Sequence, residues 1–185
     1  MRLIDATAGS NHAPLPLVYS DARSLDRVAI PEEALRTIVP GFRGLLVLSD
    51  PDNIASLHMD IGGRTIPVSL AGEGIVVLVR TMLELAACGD GGTALLEEPE
   101  AHQHPRTLRL MAQGICESVK RGVQVVLTTH SLELIDNLLH FAGEADILDR
   151  TAVHLLRLRD NILSATRVDG GAARFQVLEM ESDLR

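Results

Sequence analysis

Two short aliphatic runs separated by one helical pattern constrain the fold of this chain more than any other feature. The runs at residues 93–96 and 123–129 have the length and the β-branched content of buried strands. Between them, Pro105 opens a segment with apolar residues at helical spacing, and Gly122 closes it. Because a strand, a helix and a strand at this spacing form a crossover unit, we predict two parallel strands in one sheet.

Ionisable and polar residues follow each run at the point where the strand should end. Glu97 and Glu98 end the first run and precede Pro99, while His130 and Ser131 end the second. In open parallel sheets, ligands collect beyond the carboxyl ends of the strands. A pair of glutamates on an exposed helix would be a solvated face, but here a core strand leads directly into them. The sequence therefore predicts a nucleotide site at these two strand ends.

The remaining sequence divides at about residue 30. Residues 1–30 lack sustained periodicity, and we interpret them as a linker or as the remnant of a truncated N-terminal lobe. The expected fold of residues 31–185 is α/β, a mostly parallel sheet with flanking helices and peripheral β-hairpins. Besides the crossover unit, its predicted elements are a helix at 31–39, a strand at 45–49, a hairpin of 55–61 and 64–68, a buried helix at 75–88, a helix capped by Ser131, a hairpin of 153–159 and 162–168, and a helix at 172–180.

Composition indicates a cytoplasmic protein of one domain. The 185 residues are enough to bury a single core. Cys88 and Cys116 form no obvious pair, which fits a reducing compartment. The sequence contains no secretory leader pattern and no apolar run of the roughly 20 residues needed to cross a bilayer, so we expect no membrane association. A formal net charge of −8 argues against broad adhesion to nucleic acid.

The motifs at the strand ends resemble those of a known class of ATPases. Residues 95–105 look like the Walker B and D-loop segment of ABC-type ATPases, and they are most similar to the soluble branch that includes OLD-family and RecF-like ATP-binding proteins. Residues 127–131 resemble the switch-histidine loop of the same group, and residues 69–74 resemble its signature loop. The resemblance covers about residues 35–185 and implies the C-terminal lobe of a P-loop NTPase domain.

The resemblance implies a role for each of these residues. Glu97 is expected to hold Mg²⁺, usually through water, and Glu98 to orient and deprotonate the water that attacks the γ-phosphate of ATP. His130 is expected to hydrogen-bond that phosphate and to sense its loss. Ser131 is expected beside the nucleotide. The other implied nucleotide or subunit contacts are Gly72, Glu73 and Gly74 in the signature-like loop, which serves the nucleotide of the opposite subunit, and Glu100 and His102 in the D-loop.

The phosphate-binding half of such a site is missing from the sequence. A P-loop requires Gly-x-x-x-x-Gly-Lys-Ser/Thr, but Lys120 is the only lysine beside sixteen arginines and it lies inside a predicted helix. We therefore expect the chain to need a lobe that carries Walker A, from the same gene or from a separate chain, and to hydrolyse ATP very weakly or not at all alone. The completed ATPase is expected to form a homodimer and to serve a DNA-directed or defence-related task, with only indirect DNA association.

Two other functions remain open from the sequence. The chain is alternatively a catalytically inactive interaction module, a half-domain retained to bind a partner. The third hypothesis is a metal-dependent hydrolase, because His102 and His104 alternate beside three glutamates.

Overall fold

The computed structural model of the protein describes residues 2–5 and 13–178. In these residues the chain forms eight strands and six α-helices, with two short 3₁₀ turns. In chain order they are β1 (Arg2–Asp5), α1 (Leu15–Ser24), α2 (Ala29–Ile38), β2 (Phe42–Ser49), β3 (Ala55–Ile61), β4 (Arg64–Pro67), α3 (Glu73–Ala87), β5 (Thr93–Glu97), α4 (Pro105–Lys120), β6 (Gln124–Thr128), α5 (Leu132–Glu144), β7 (Ala152–Arg159), β8 (Ile162–Asp169) and α6 (Gly170–Leu178).

A three-stranded parallel sheet in the order β1-β5-β6 positions the predicted site. The strands β5 and β6 are parallel neighbours joined through α4, so the predicted crossover unit and the α/β fold class are confirmed. Glu97 at the end of β5 is level with Asp5 on one side and with Thr128 on the other. All three strands therefore end at the same edge.

The two faces of the parallel sheet differ in how they are covered. On the inner face, Ala94 and Leu96 are 0% and 3% exposed and pack in one core with α3 and α4. On the opposite face, which we call the open face, Val126 is 51% exposed. The open face consists of Thr93, Leu95 and Glu97 on β5 and of Gln124, Val126 and Thr128 on β6.

A second sheet of three antiparallel strands, in the order β2-β3-β4, packs against α1 and α3. The predicted hairpin is confirmed, and it turns through Gly62 and Gly63 with φ angles of 61° and 86°, as a two-residue hairpin loop requires. Strand β2 begins at Phe42, three residues before the prediction. Leu57 and Met59 on β3 bring its inner face into the core.

The described part of residues 1–30 contributes a strand and a helix to the core. Residues 2–5 form β1 in the parallel sheet, and Ile4 is 2% exposed. Val18 and Tyr19 on α1 are buried, and the Tyr19 hydroxyl donates a hydrogen bond of 3.0 Å to the Leu45 carbonyl. The helix α1 was not predicted from the sequence, because two prolines lie at its start and its apolar face is too short to give a clear helical periodicity. The division of the chain at residue 30 stays a prediction.

The C-terminal part follows the predicted pattern. The strands β7 and β8 form a separate antiparallel hairpin across Asp160 and Asn161. Val153 and Leu155 on β7 pack with α5 and α6. The predicted closing helix exists as α6, and the part of that prediction beyond Leu178 lies outside the described residues. Among the described residues, no helix is long and apolar enough to cross a membrane.

Candidate active site at the carboxyl ends of the strands

Glu98 and His130 lie side by side where β5 and β6 end. The distance from His130 Nε2 to Glu98 Oε1 is 3.6 Å. The Glu98 side chain is 45% exposed and that of His130 is 87% exposed, so both remain open to solvent. The expected convergence of the acidic pair and the histidine at one edge of a common sheet is therefore present in the structure.

The backbone of Glu98 has an uncommon conformation. Its φ angle is 42°, in the left-handed region that residues other than glycine seldom occupy, while its N–H donates a hydrogen bond of 3.1 Å to the Thr128 carbonyl. Such a conformation costs on the order of 1–3 kcal/mol and persists where the surrounding structure enforces it. Buried Pro99 follows directly. The strain coincides with the residue that the sequence analysis singles out for catalysis.

Glu97 occupies the last position of β5 and is exposed on the open face. Its carboxylate and that of Glu98 are adjacent in the chain and accessible to solvent. Carboxylate oxygens together with water are the donors that Mg²⁺ prefers. The donor set present at this edge is therefore chemically suited to a hydrated Mg²⁺ bound with a nucleotide.

Glu100 contacts the histidine loop of its own chain. Its Oε1 accepts a hydrogen bond of 2.6 Å from Thr129 Oγ1 and one of 2.9 Å from the His130 N–H. The resemblance to ABC-type ATPases implies a contact of Glu100 with a second subunit and gives Thr129 no role. A threonine directly after a strand, two residues before a cap, is the local signal that points to such a loop contact.

Ser131 caps α5 as predicted. Its Oγ accepts a hydrogen bond of 3.1 Å from the Leu134 N–H, and its own N–H donates to Thr129 Oγ1 at 3.0 Å. The hydroxyl oxygen is thus engaged by its own helix. Its expected contact with a nucleotide stays a prediction.

The signature-like loop packs against the turn that follows Glu98. Gly72 has a φ angle of 87° and precedes α3, which begins at Glu73. A Cβ atom at Gly74 would lie 2.7 Å from the His102 carbonyl oxygen, so this close approach requires glycine. Gln103 Nε2 donates a hydrogen bond of 3.1 Å to the Gly74 carbonyl.

His102 and His104 have local partners in the fold. His102 Nδ1 lies 3.6 Å from Glu73 Oε2. His104 precedes α4, and its Nδ1 accepts a hydrogen bond of 3.2 Å from the Arg106 N–H. Among residues 2–5 and 13–178, no group of three His, Cys, Asp or Glu side chains is arranged to hold a metal ion. The hypothesis of a metal-dependent hydrolase stays a prediction.

Sequence comparison identifies relatives of the chain. Residues 25–135, more than half of its length, match the family described as AAA ATPase domain. An uncharacterized protein of Methanocaldococcus jannaschii, MJECL11, is 38% identical over 92 residues, which are 49% of this chain and 75% of that protein.

The fold is similar to that of structures from studies of SMC ATPases. A structure from work on ATP-driven dimerization and DNA-stimulated activation of SMC ATPases aligns with a TM-score of 0.60 at 12% identity, covering 91% of this chain and 98% of that chain. An SMC head bound to the C-terminal winged-helix domain of ScpA aligns with a TM-score of 0.58 at 14% identity, covering 84% of this chain and 50% of that one. These likenesses support the P-loop ATPase fold, and the family match shows that the chain belongs to the AAA ATPase domain family.

Proposed function

We propose that this chain supplies the hydrolytic half of an ABC-type ATPase, of the OLD and RecF-like branch, and that a lobe carrying Walker A completes it. The observation that carries the proposal is the 3.6 Å approach of His130 to Glu98 at the ends of two paired parallel strands. Membership of the AAA ATPase domain family implies ATP as the nucleotide. The compartment in which it works, on this proposal, is the cytoplasm.

The three residues at the strand ends divide the chemistry between them. Glu97 is suited to hold Mg²⁺ through water, and that ion supplies neutralisation of charge on the β- and γ-phosphates when it is bound. Glu98, beside it, orients the attacking water and accepts its proton. The imidazole of His130 is 87% exposed, and its role on this proposal is to donate a hydrogen bond to the γ-phosphate.

The open face supports the need for a second lobe. Parallel sheets occur almost only with both faces covered, yet Val126 on β6 is 51% exposed. Among the described strands, β6 has a neighbour on one side only. Lys120, the lone lysine, ends α4 and lies 3.6 Å from Glu117, in a context unlike that of a P-loop.

The signature-like loop and the D-loop turn extend the proposal to a dimer. The SMC ATPases with the similar fold are described as dimerizing with ATP. We place Gly72, Glu73, Gly74 and His102 near the nucleotide of a second copy, because the loop and the turn are in contact and form one continuous surface. Any DNA association is indirect on this proposal, since the chain carries a net charge of −8.

Phosphate release tests the catalytic assignment. The chain is co-expressed with a lobe that carries Walker A, and Mg-ATP hydrolysis is measured for wild type, Glu98→Gln and the control Glu133→Gln. Glu98→Gln is expected to lower kcat about 10²–10⁴-fold, the usual contribution of a general base. The control should hydrolyse at the wild-type rate. Equal rates in wild type and Glu98→Gln contradict the assignment.

An inactive interaction module is the second candidate, favoured by the missing Walker A motif together with the uncovered apolar side chain on the open face. Calorimetry of the purified chain and of the co-expressed complex with Mg-ATP separates the two functions. The ATPase predicts that binding appears in the complex. The interaction module predicts a stable complex in which no heat of nucleotide binding is observed.

A further inference from the structure

Glu100 lies in the turn that follows Glu98, and its side chain reaches the loop that carries His130. We propose that Glu100 is a positioning residue, which fixes the backbone of His130 so that its imidazole stays against Glu98. The geometric part of this inference stands on the contacts of the chain itself. Its consequence for catalysis rests on the proposed ATPase function.

One carboxylate oxygen of Glu100 is linked to three consecutive residues after β6, to two of them directly and to the third through the Thr129 hydroxyl. Glu100 Oε1 accepts hydrogen bonds from Thr129 Oγ1 at 2.6 Å and from the His130 N–H at 2.9 Å. The Thr129 hydroxyl oxygen accepts a further hydrogen bond of 3.0 Å from the Ser131 N–H. The path of the loop between β6 and α5 is thus set by a side chain from the neighbouring turn.

The same turn presents Glu98. Its N–H bonds to the Thr128 carbonyl, and its own carbonyl accepts a hydrogen bond of 3.0 Å from the Ala101 N–H, which closes the turn around Glu100. The His130 side chain is 87% exposed, so packing does little to restrict it. The position of the His130 imidazole relative to Glu98 therefore depends on where the His130 backbone is held. Glu100 connects the two residues, because it belongs to the turn that carries Glu98 and accepts a hydrogen bond from the His130 N–H.

The contacts favour a carboxylate at this position. The 2.6 Å distance to the Thr129 hydroxyl lies in the range of charge-assisted O–H···O⁻ hydrogen bonds. The other oxygen, Oε2, is buried and has no hydrogen-bond partner among the described residues. An ionised carboxylate is an acceptor only and uses one oxygen for two donors, whereas glutamine would bring an NH₂ group that needs acceptors of its own.

Amide hydrogen exchange of the whole chain, measured residue by residue by NMR, tests the geometric part. In Glu100→Ala the His130 amide loses its acceptor, and its exchange is expected to be about tenfold faster than in wild type. Thr129→Val, which keeps the Glu100 carboxylate, should accelerate exchange of the His130 amide less. Thr129→Ser, which keeps the hydroxyl, should exchange at the wild-type rate. Glu133→Ala, an exposed carboxylate three residues from His130, is the matched control and should leave the rate unchanged.

An unchanged His130 exchange rate in folded Glu100→Ala overturns the proposal, whatever the ATPase assay shows. If Glu100→Ala does not fold, equal rates in Thr129→Val and wild type overturn it instead. In the co-expressed ATPase, Glu100→Ala is expected to lower kcat about tenfold or more with KM for ATP little changed, and Glu100→Asp to recover part of it. Full activity of Glu100→Ala overturns the catalytic consequence. Inactivity of the wild-type complex would contradict the proposed function while the exchange test still decides the geometry.

Discussion

The inner and open faces of the parallel sheet are built from alternate residues of the same strands, and their most buried and most exposed aliphatic side chains differ sharply in exposure. Leu96 on β5 is 3% exposed, whereas Val126 on β6 is 51% exposed. Both are aliphatic residues that favour strands. The difference teaches that α3 and α4 cover one face of the parallel sheet, while the other face presents an exposed apolar residue, which the proposed function assigns to contact with a second lobe. The predictions below test that contrast.

Shortening a side chain on the inner face should have the largest effect. Leu96→Ala removes buried methyl groups from the core with α3 and α4, and it is expected to lower the free energy of unfolding by about 2–5 kcal/mol. Val126→Ala on the open face should lower it by less than about 1 kcal/mol, since half of that side chain is already in water. Urea denaturation of both variants measures the two losses. Equal losses would remove the distinction between the faces.

The next largest loss of stability is expected where the signature-like loop packs against the turn that follows Glu98. Gly74→Ala places a Cβ atom 2.7 Å from the His102 carbonyl oxygen, and the backbone must shift to relieve the clash. We expect a loss of about 1–3 kcal/mol in the free energy of unfolding, typical of overpacking. Gly89→Ala, where an added Cβ meets no atom within 4 Å, is the control. A Gly74→Ala protein as stable as wild type would show that the loop and the turn are not tightly packed.

A pH titration tests the packing of α4, one of the two helices that cover the inner face. Burial, together with the neighbouring Glu117 carboxylate, raises the pKa of the Cys116 thiol on α4 to about 11. Because the unfolded chain has an ordinary thiol pKa of about 8.5, the folded state favours the neutral thiol. The resulting stability is present below about pH 8.5 and is lost as the pH rises through 11. Denaturation across this pH range should show a smaller loss of stability for Cys116→Ala than for wild type. Glu117→Gln should still show most of the wild-type loss, because burial is the main cause of the raised pKa.

The smallest effect on stability is expected from a charge on the open face. Val126→Lys should change the free energy of unfolding by no more than about 0.5 kcal/mol, because its site is half in water. The same variant should reduce self-association of the isolated chain, since lysine on an edge strand discourages pairing with another chain. Light scattering after size-exclusion chromatography measures this change. More association in the variant than in wild type would argue against an unprotected edge.

The elements that could be predicted from sequence are those with a complete local pattern. The crossover unit and both hairpins follow from apolar periodicity and from turn residues such as Gly62 and Gly63. The strand β1 could not be found in this way, because four residues carry too little pattern and their partner β5 lies about ninety residues away. Long-range pairing of this kind is decided by the tertiary fold.

The candidate site divides in the same manner. Glu97, Glu98 and His130 could be located because they follow core strands directly. The hydrogen bonds of Glu100 to Thr129 and His130 could not, since they join turns about thirty residues apart. The left-handed backbone of Glu98 was equally hidden, because glutamate has no preference for that conformation.

That backbone at Glu98 matters for anyone who redesigns the protein. A procedure that seeks only the most stable sequence for this fold would choose glycine or asparagine at position 98, because both adopt the left-handed region more readily. Such a choice would improve the thermal midpoint and delete the proposed general base in the same step. On the proposed function, position 98 should therefore be held constant in any stabilised library.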